Sequence, residues 1–347
     1  MRGVVVLATC VVAVSLSAGV GAGGDAAAAT SARIVRIENP VWSPKRAEIA
    51  FDARYDDATS EVLIAAPDGS ALAQVEQAAD PLHRAGRPLW SPNGNQLALM
   101  GFDGRTPFVA VATRLGSGPP AVVGFGEAVP ESWSPASDRL VLNGVDPTNS
   151  PTGVAVVDIS GARSVTEWRG SAPAWSPRRD VIAYAAAYRH RSFVYTANPQ
   201  GKQRRRLLPG SNPSWSSDGK LLAYVARGGV WVARANGRDR RLVLHNRAIG
   251  GAEVEIPLLW APHRRLIAVD YWGGTIIIDV AHSRHHRLRL PAAVANRPSW
   301  LPWSPDGRRL VFAAGSRLYI VGADGSGGHF VAPRFDRNGT AHALASP

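Results

Sequence analysis

One short motif, a tryptophan followed by serine and proline or a close variant, recurs seven times and most constrains the fold. The tryptophans are Trp42, Trp90, Trp133, Trp175, Trp215, Trp260 and Trp303, separated by 48, 43, 42, 40, 45 and 43 residues. A short apolar run that favours a β-strand follows each of them. This period is typical of propeller blades, which must stack because one blade cannot bury both of its faces. The sequence therefore predicts an all-β fold, a seven-bladed β-propeller of four-stranded antiparallel blades.

The last repeat shows the turn chemistry most clearly. In Pro305-Asp306-Gly307 the proline presets φ and the glycine accepts a positive φ. A proline also stands two or three residues before six of the repeat tryptophans and five residues before Trp303, and because proline cannot donate to a ladder we expect a strand to start there. These prolines are Pro40, Pro88, Pro130, Pro173, Pro213, Pro257 and Pro298.

The pattern Trp-Ser-Pro-Asp-Gly is complete at Trp303–Gly307 and nearly so at Trp90–Gly94 and Trp215–Gly219. It resembles the WD40-like repeat of TolB-type β-propellers. TolB itself has an α/β domain before its propeller, whereas the first repeat here follows the leader almost at once, so the resemblance concerns the propeller alone. Such propellers serve as binding platforms, adaptors and occasionally enzymes. The resemblance therefore implies the fold but does not select one of these functions.

The first 29 residues have the composition of a leader. A low-charge apolar stretch from Val4 to Val20 follows Arg2 and leads into small residues, which predicts a secretory signal peptide over residues 1–29, with a retained membrane anchor as the alternative. The propeller is expected over residues 33–335 and a disordered tail over 336–347. The one cysteine, Cys10, lies in the leader, which excludes an internal disulfide and a cysteine-based metal site. We expect a secreted protein in the periplasm or at the cell surface.

Charge is distributed unevenly along the chain. Residues 1–173 hold 13 Lys and Arg against 17 Asp and Glu, whereas residues 174–347 hold 26 against 10, which gives the second half a net charge of +16. Many of these arginines fall at the predicted first and third connections of blades four to seven, which should share one face. The candidate binding residues are Arg204, Arg205, Arg206, Arg238, Arg240, Arg241, Arg264, Arg265, Arg284 and Arg287.

Such a basic face suits a protein or an anionic cell-envelope polymer, and the alternative is an arginine-rich composition that merely decorates solvated turns. Nucleic acid is not an expected partner of a secreted chain. Contact with a membrane is expected only through an uncleaved leader, and the protein is expected to be a monomer.

The aromatic residues divide into two groups. Repetition in every blade suits packing between blades better than one ligand site, so the seven repeat tryptophans are interpreted as structural. Tyr271, Trp272 and Trp300 lie outside the repeat and are candidate loop aromatics, with the alternative that they cap a neighbouring blade.

Catalytic residues, a metal and a cofactor are not expected. The sequence has no G-x-S-x-G elbow, and arginines flank the histidines at His282, His285 and His286. The alternative function is a metal-dependent polysaccharide lyase or hydrolase that acts at the propeller axis. The oligogalacturonate lyases, a similar class of propeller, use a histidine-bound divalent metal, and His83, His190 and His245 lie in loops assigned to one face.

Overall fold

The computed structural model describes residues 33–56, 60–70, 72–75, 86–102, 105–114, 120–125, 128–145, 151–160, 166–249, 258–271, 274–294 and 303–333. Within these ranges the strands form seven antiparallel sheets, and the one helical segment is a 3₁₀ turn at Asn246–Ile249. The predicted leader and the predicted tail lie outside the described residues. No helix in the described ranges has the length and apolar character needed to cross a membrane.

The strands of each sheet follow one another in sequence from the inside of the ring outward. Sheet one contains β1 (Ile34–Trp42), β2 (Ile49–Tyr55), β3 (Ser60–Ala65) and β4 (Leu72–Gln74). Sheet two contains β5 (Gly86–Trp90), β6 (Gln96–Phe102), β7 (Pro107–Thr113) and β8 (Ala121–Phe125). Sheet three contains β9 (Val129–Trp133), β10 (Arg139–Val145), β11 (Pro151–Asp158) and β12 (Thr166–Trp168). Sheet four contains β13 (Ser171–Trp175), β14 (Ile182–Tyr188), β15 (Arg191–Ala197) and β16 (Arg205–Pro209).

The remaining three sheets follow the same plan. Sheet five contains β17 (Ser211–Trp215), β18 (Leu221–Ala226), β19 (Gly229–Arg234) and β20 (Arg241–His245). Sheet six contains β21 (Leu258–Trp260), β22 (Leu266–Tyr271), β23 (Gly274–Asp279) and β24 (Arg284–Arg287). Sheet seven contains β25 (Arg309–Ala314), β26 (Arg317–Gly322) and β27 (His329–Val331), and an antiparallel bridge between Trp303 and Leu310 marks its innermost position.

Each sheet packs against the next, and the seventh packs against the first. Seven clusters of buried apolar side chains lie one at each boundary between neighbouring sheets. At the last boundary Val311 and Ile320 of sheet seven pack with Ile37 and Phe51 of sheet one. The backbone N–H of Ile37 also donates to the carbonyl of Gly315 at 2.7 Å. The ring is therefore closed, and the predicted seven-bladed all-β propeller is confirmed.

The repeat tryptophans lie between the blades, and each is at most 9% exposed. Five of them donate the indole N–H to the residue just before the tryptophan of the preceding blade; for example, Trp303 donates to the Leu259 carbonyl at 2.9 Å and Trp133 to the Leu89 carbonyl at 3.0 Å. Burial of one indole side chain removes about 150–250 Å² from water, which contributes about 4–6 kcal/mol as an upper value.

The expectation that a proline begins each inner strand is wrong. In sheet one Pro40 lies late in β1, where the pairing register shifts between Glu38 and Val41. The same kind of shift leaves Pro88, Pro173 and Pro213 out of their ladders, whereas in sheet three Pro130 pairs with Leu142 and the shift falls beside it. Because a β-bulge leaves a residue out of the ladder, the missing proline N–H removes no ladder hydrogen bond there.

Candidate functional site

The repeat motif folds into a tight turn that forms the first connection of a blade. In blade seven the Ser304 hydroxyl donates to the Asp306 carboxylate at 2.5 Å and accepts the backbone N–H of Arg309 at 2.9 Å. The same carboxylate accepts the backbone N–H of Arg308 at 3.0 Å. Side chains of the turn thus hold its backbone in place, including the backbone of the two arginines that follow it.

Glycine is required at the end of this turn. Gly307 has a φ of +65°, and a Cβ placed there would lie 2.3 Å from the carbonyl oxygen of Pro262 in the neighbouring blade. The close approach explains why the motif ends in glycine, and it seats the turn of blade seven directly against that of blade six.

Hydrogen bonds between blades join successive first connections. Arg264 Nε approaches the Asp306 carbonyl oxygen at 3.4 Å, and the backbone N–H of His263 donates to the Ser217 hydroxyl at 3.2 Å. On the other side of the ring Arg46 donates to the Gly94 carbonyl at 2.7 Å. The first connections therefore form a band around one edge of the propeller.

The third connections lie at the same edge, because each sheet consists of consecutive antiparallel strands. Arg241 of blade five donates to the Val280 carbonyl and to the Ser283 hydroxyl of the corresponding blade-six turn. In the same way His286 of blade six contacts the Ala323 carbonyl of the blade-seven turn at 2.9 Å. Neighbouring third connections are thus also linked from blade to blade.

Eight of the ten candidate arginines lie at or beside these connections in blades four to six. We call this surface the basic face, and its members are Arg204, Arg205, Arg238, Arg240, Arg241, Arg264, Arg265 and Arg284. All except Arg241 are exposed. Seven exposed arginines thus lie at or beside the connections along one edge of three neighbouring sheets.

The other two candidate arginines point to the opposite edge. The guanidinium of Arg206 lies over the Tyr188 ring, with Cζ 4.4 Å from the ring centroid, next to the second connection of blade four. Arg287 approaches Gly274 at the second connection of blade six, where an added Cβ would lie 3.5 Å from its Nε atom. Both residues stand further along the outer strand than their neighbours, which carries their long side chains away from the basic face.

Carboxylates near the basic face are held by their own turns. Burial pushes the pKa of Asp306 upward, but hydrogen bonds from the Ser304 hydroxyl and the Arg308 N–H outweigh it and lower that pKa. In the blade-seven third connection, hydrogen bonds from the backbone and hydroxyl of Ser326 lower the pKa of Asp324. Both carboxylates remain ionised at neutral pH, but their oxygens already accept hydrogen bonds within their own turns.

Several arginines of the basic face have no acidic partner in the described part of the chain. No carboxylate there forms an ion pair with Arg205, Arg238 or Arg240. Their guanidinium groups are consequently available to an anionic ligand.

The structure describes only some of the other candidate residues. Tyr271 ends β22 and pairs through its backbone with Gly274, while Trp272, Trp300 and His83 lie outside the described residues. His282 contacts Asp279 at 2.8 Å, in an exposed pair. Within the described ranges no group of three or more histidine, cysteine, aspartate or glutamate side chains is arranged to hold a metal ion.

Sequence reasoning missed a buried carboxylate, Asp52, which is 5% exposed. It accepts the side-chain amide of Asn39 at 2.6 Å and the backbone N–H of Arg87 at 3.1 Å. Burial raises its pKa to about 7, a rise that Glu38 adds to and these hydrogen bonds oppose. Asp52 is the tenth residue after its repeat tryptophan, a position that is apolar in four other blades, so an alignment of the repeats would have found it.

No protein-family model matches the sequence, and no curated protein matches it either. Solved structures do match. The β-propeller domain of the Trilobed protease from Pyrococcus furiosus aligns with a TM-score of 0.56 at 15% identity, over 89% of this chain and 98% of that one. An oligogalacturonate lyase in complex with manganese aligns with a TM-score of 0.57 at 15% identity, over 83% of this chain and 90% of that one.

TolB from Acinetobacter baumannii also matches, with a TM-score of 0.44 and 18% identity, over 59% of this chain. The alignment spans 53% of that TolB chain, about half of its length. The seven sheets, together with the two structures that align with TM-scores above 0.5, show a seven-bladed β-propeller, the fold that the TolB-like repeat implies.

Proposed function

We propose that the protein is a non-catalytic binding module, which holds a protein or an anionic cell-envelope polymer on its basic face. The observation that supports this most directly is the set of exposed arginines along one edge of blades four to six, several of them without a carboxylate partner in the described ranges.

Electrostatics favours a partner that touches the face closely. At physiological ionic strength the field of exposed charges is screened beyond about 8 Å, so the arginines act mainly at contact range. A guanidinium group binds a carboxylate or a phosphate through two parallel hydrogen bonds. A partner with closely spaced acidic groups would engage several arginines at once, and its binding would weaken steeply with salt.

The proposal places the protein outside the cytoplasm, where the predicted signal peptide over residues 1–29 would send it, in the periplasm or at the cell surface. It assigns the propeller to residues 33–335 and treats residues 336–347 as a disordered tail. The protein acts as a monomer in this scheme. In this proposal the repeat tryptophans stabilise the packing between blades, and ligands bind at the edges of the propeller.

A charge-reversal experiment tests this function. The variant Arg205→Glu/Arg238→Glu/Arg240→Glu changes three exposed residues of the basic face. The control Arg227→Glu/Arg247→Glu/Arg317→Glu makes the same change in charge with exposed arginines that lie in or beside the connections of the opposite edge. Retention on a phosphate-bearing matrix is then measured against sodium chloride concentration.

We expect the basic-face variant to elute at much lower salt than the control variant. Equal loss in both would mean that only net charge matters, and unchanged retention would reject the basic face altogether. Capture of envelope components on immobilised protein, compared between the two variants, then separates a protein partner from a polymer.

The enzyme alternative makes a different prediction. The fold is shared with an oligogalacturonate lyase in complex with manganese. A lyase or hydrolase at the propeller axis would retain a divalent metal on purification and would degrade anionic sugars. Metal analysis and an assay on uronic-acid polymers distinguish that activity from binding alone.

A further inference from the structure

At the opposite edge of blade four, arginine and aromatic side chains form a row that the proposed function does not use. The Arg206 guanidinium lies 4.4 Å from the ring centroid of Tyr188 and 4.9 Å from that of Phe193. The guanidinium of Arg189 is also near Tyr188, 5.5 Å from the same centroid. We call Tyr188, Arg189, Phe193 and Arg206 the cationic ladder.

The ladder is carried by a strained turn. Tyr188 and Arg191 are the last pair of β14 and β15, so only Arg189 and His190 connect these strands. Their φ angles are +47° and +63°, in the left-handed region that asparagine and glycine normally occupy in such hairpins. The matching turns of blades five and seven have a glycine with positive φ, Gly228 and Gly315. Strain retained at an exposed turn points to a functional constraint on its side chains.

The ladder is accessible and uncompensated. Tyr188 is 42% exposed, one of the few large apolar side chains left in solvent among the described residues. Arg189, Arg191 and Arg206 are exposed, and within the described ranges none of them pairs with a carboxylate. The contacts with the rings hold the guanidinium groups of Arg189 and Arg206 beside Tyr188, and their N–H groups remain available to a ligand.

We propose that the cationic ladder is a second binding site, which docks an acidic segment of a partner protein. Three arginines close together provide the charge complement of neighbouring Asp and Glu side chains. Tyrosine and arginine are also the residues most enriched where protein–protein interfaces derive their binding energy. The combination of an exposed tyrosine ring with guanidinium groups held beside it therefore fits a protein partner better than a carbohydrate. The site lies at the edge opposite the basic face and does not depend on it.

Peptide binding measures the ladder separately from the basic face. The parent for this experiment is Arg205→Glu/Arg238→Glu/Arg240→Glu, in which the basic face is already altered. The probe is a fluorescein-labelled peptide of alternating glutamate and glycine, followed by fluorescence anisotropy, and the reference peptide contains glutamine in place of glutamate. Adding Arg206→Glu should weaken binding about tenfold or more, which corresponds to the loss of about 1.4 kcal/mol or more.

The control substitution is Arg247→Glu, which alters an exposed arginine in the loop after blade five and should change the affinity less than about twofold. Tyr188→Ser is a second ladder variant with its own melting curve, so a folding defect in one variant leaves the other informative. Equal effects of Arg206→Glu and Arg247→Glu, or tighter binding of a uronic-acid oligosaccharide of matched charge, would overturn the proposal. Retention on the phosphate matrix tests the basic face, and peptide binding tests the cationic ladder. Failure of one proposal can therefore be told apart from failure of the other.

Discussion

Arg309 of the seventh blade lies over the indole ring of Trp42 in the first blade, with its Cζ atom 5.3 Å from the ring centroid. The same arrangement occurs at one other boundary, where Arg139 of blade three lies 5.0 Å from the ring centroid of Trp175 in blade four. These two tryptophans are also the two repeat tryptophans whose indole N–H finds no acceptor within the described ranges. An arginine over the ring thus accompanies each boundary where the indole hydrogen bond is missing.

Removing either arginine should loosen one boundary of the ring. A cation–π contact contributes about 0.5–2 kcal/mol, depending on burial. Arg309→Ala should therefore lower the free energy of unfolding by about 0.5–1 kcal/mol, and Arg139→Ala by somewhat more because Arg139 also pairs with Asp180 at 2.9 Å. Urea denaturation measures both changes. Arg308→Ala, in the same turn as Arg309, is the control and should have almost no effect.

The ion pair between Glu48 and Arg114 joins blades one and two and should contribute more than any surface pair. Both side chains are nearly buried, at 11% and 15% exposed, and Arg114 Nε donates to a Glu48 oxygen at 2.7 Å. Removing one partner leaves a buried charge without compensation, so Glu48→Ala should cost about 3 kcal/mol. Loss of this size would appear as a clear fall in the urea midpoint.

Arg234 and Asp239 provide the matched control for that experiment. Their side chains are 67% and 63% exposed, although the nitrogen–oxygen distance is 2.5 Å. Because solvent screens such a pair, Asp239→Asn should change the free energy of unfolding by less than about 1 kcal/mol, since asparagine tolerates the φ of +55° at this position as aspartate does. Equal losses in the two variants would show that burial does not decide the strength of these pairs.

The repeat pattern was sufficient to predict the propeller because it reports a packing unit that must recur. The tryptophan, the turn and the apolar strand of every repeat contribute to the boundaries between blades, so the seven repeats and their six spacings predict the blade number. The bulges at the prolines were missed because proline is compatible both with a strand start and with a residue left out of the ladder.

The candidate site was less predictable, because the order of strands and loops along the chain does not show toward which edge a side chain points. Arg205 and Arg206 are neighbours in sequence, yet Arg205 lies at the basic face while Arg206 stacks on Tyr188 at the other edge. Sequence assigns both to one turn. Only the pairing of β15 with β16 shows that Arg206 lies opposite Tyr195 and reaches toward Phe193.

Asp52 should make the stability of the ring depend on pH. Its pKa is raised to about 7, because burial disfavours the charged form. The folded protein then holds the Asp52 proton more tightly than the unfolded chain does. The contribution of this group to stability is complete below about pH 4 and is lost as the pH rises to about 7, by at most about 1.4 kcal/mol per pH unit.

Asp52→Asn removes this dependence. The amide oxygen still accepts the backbone N–H of Arg87, and the neighbouring charges of Glu38, Arg54 and Arg87 are unchanged. We expect the variant to gain stability relative to the parent as the pH rises from 4 to 8, measured by urea denaturation at each pH. Asp324→Asn is the control. Because the pKa of the Asp324 carboxyl is lowered rather than raised, removing this carboxyl should not make the variant more stable than the parent at high pH. A parallel pH profile for parent and Asp52→Asn would contradict the assignment.

The strain in the blade-four turn can be relieved without touching the rest of the ladder. A left-handed conformation costs most residues about 1–2 kcal/mol, whereas Asn-Gly adopts this turn readily. The variant Arg189→Asn/His190→Gly should therefore unfold with a free energy about 1 kcal/mol higher, after about 0.5–1 kcal/mol is lost to the added flexibility of glycine in the unfolded chain. Arg227→Asn in blade five is the control and should change little, since Gly228 already takes a positive φ of 93° there. If the strained turn exists to present Arg189, the stabilised variant must also bind the glutamate peptide less tightly. A gain in stability with undiminished binding would show that the strain has no role in peptide binding by the cationic ladder.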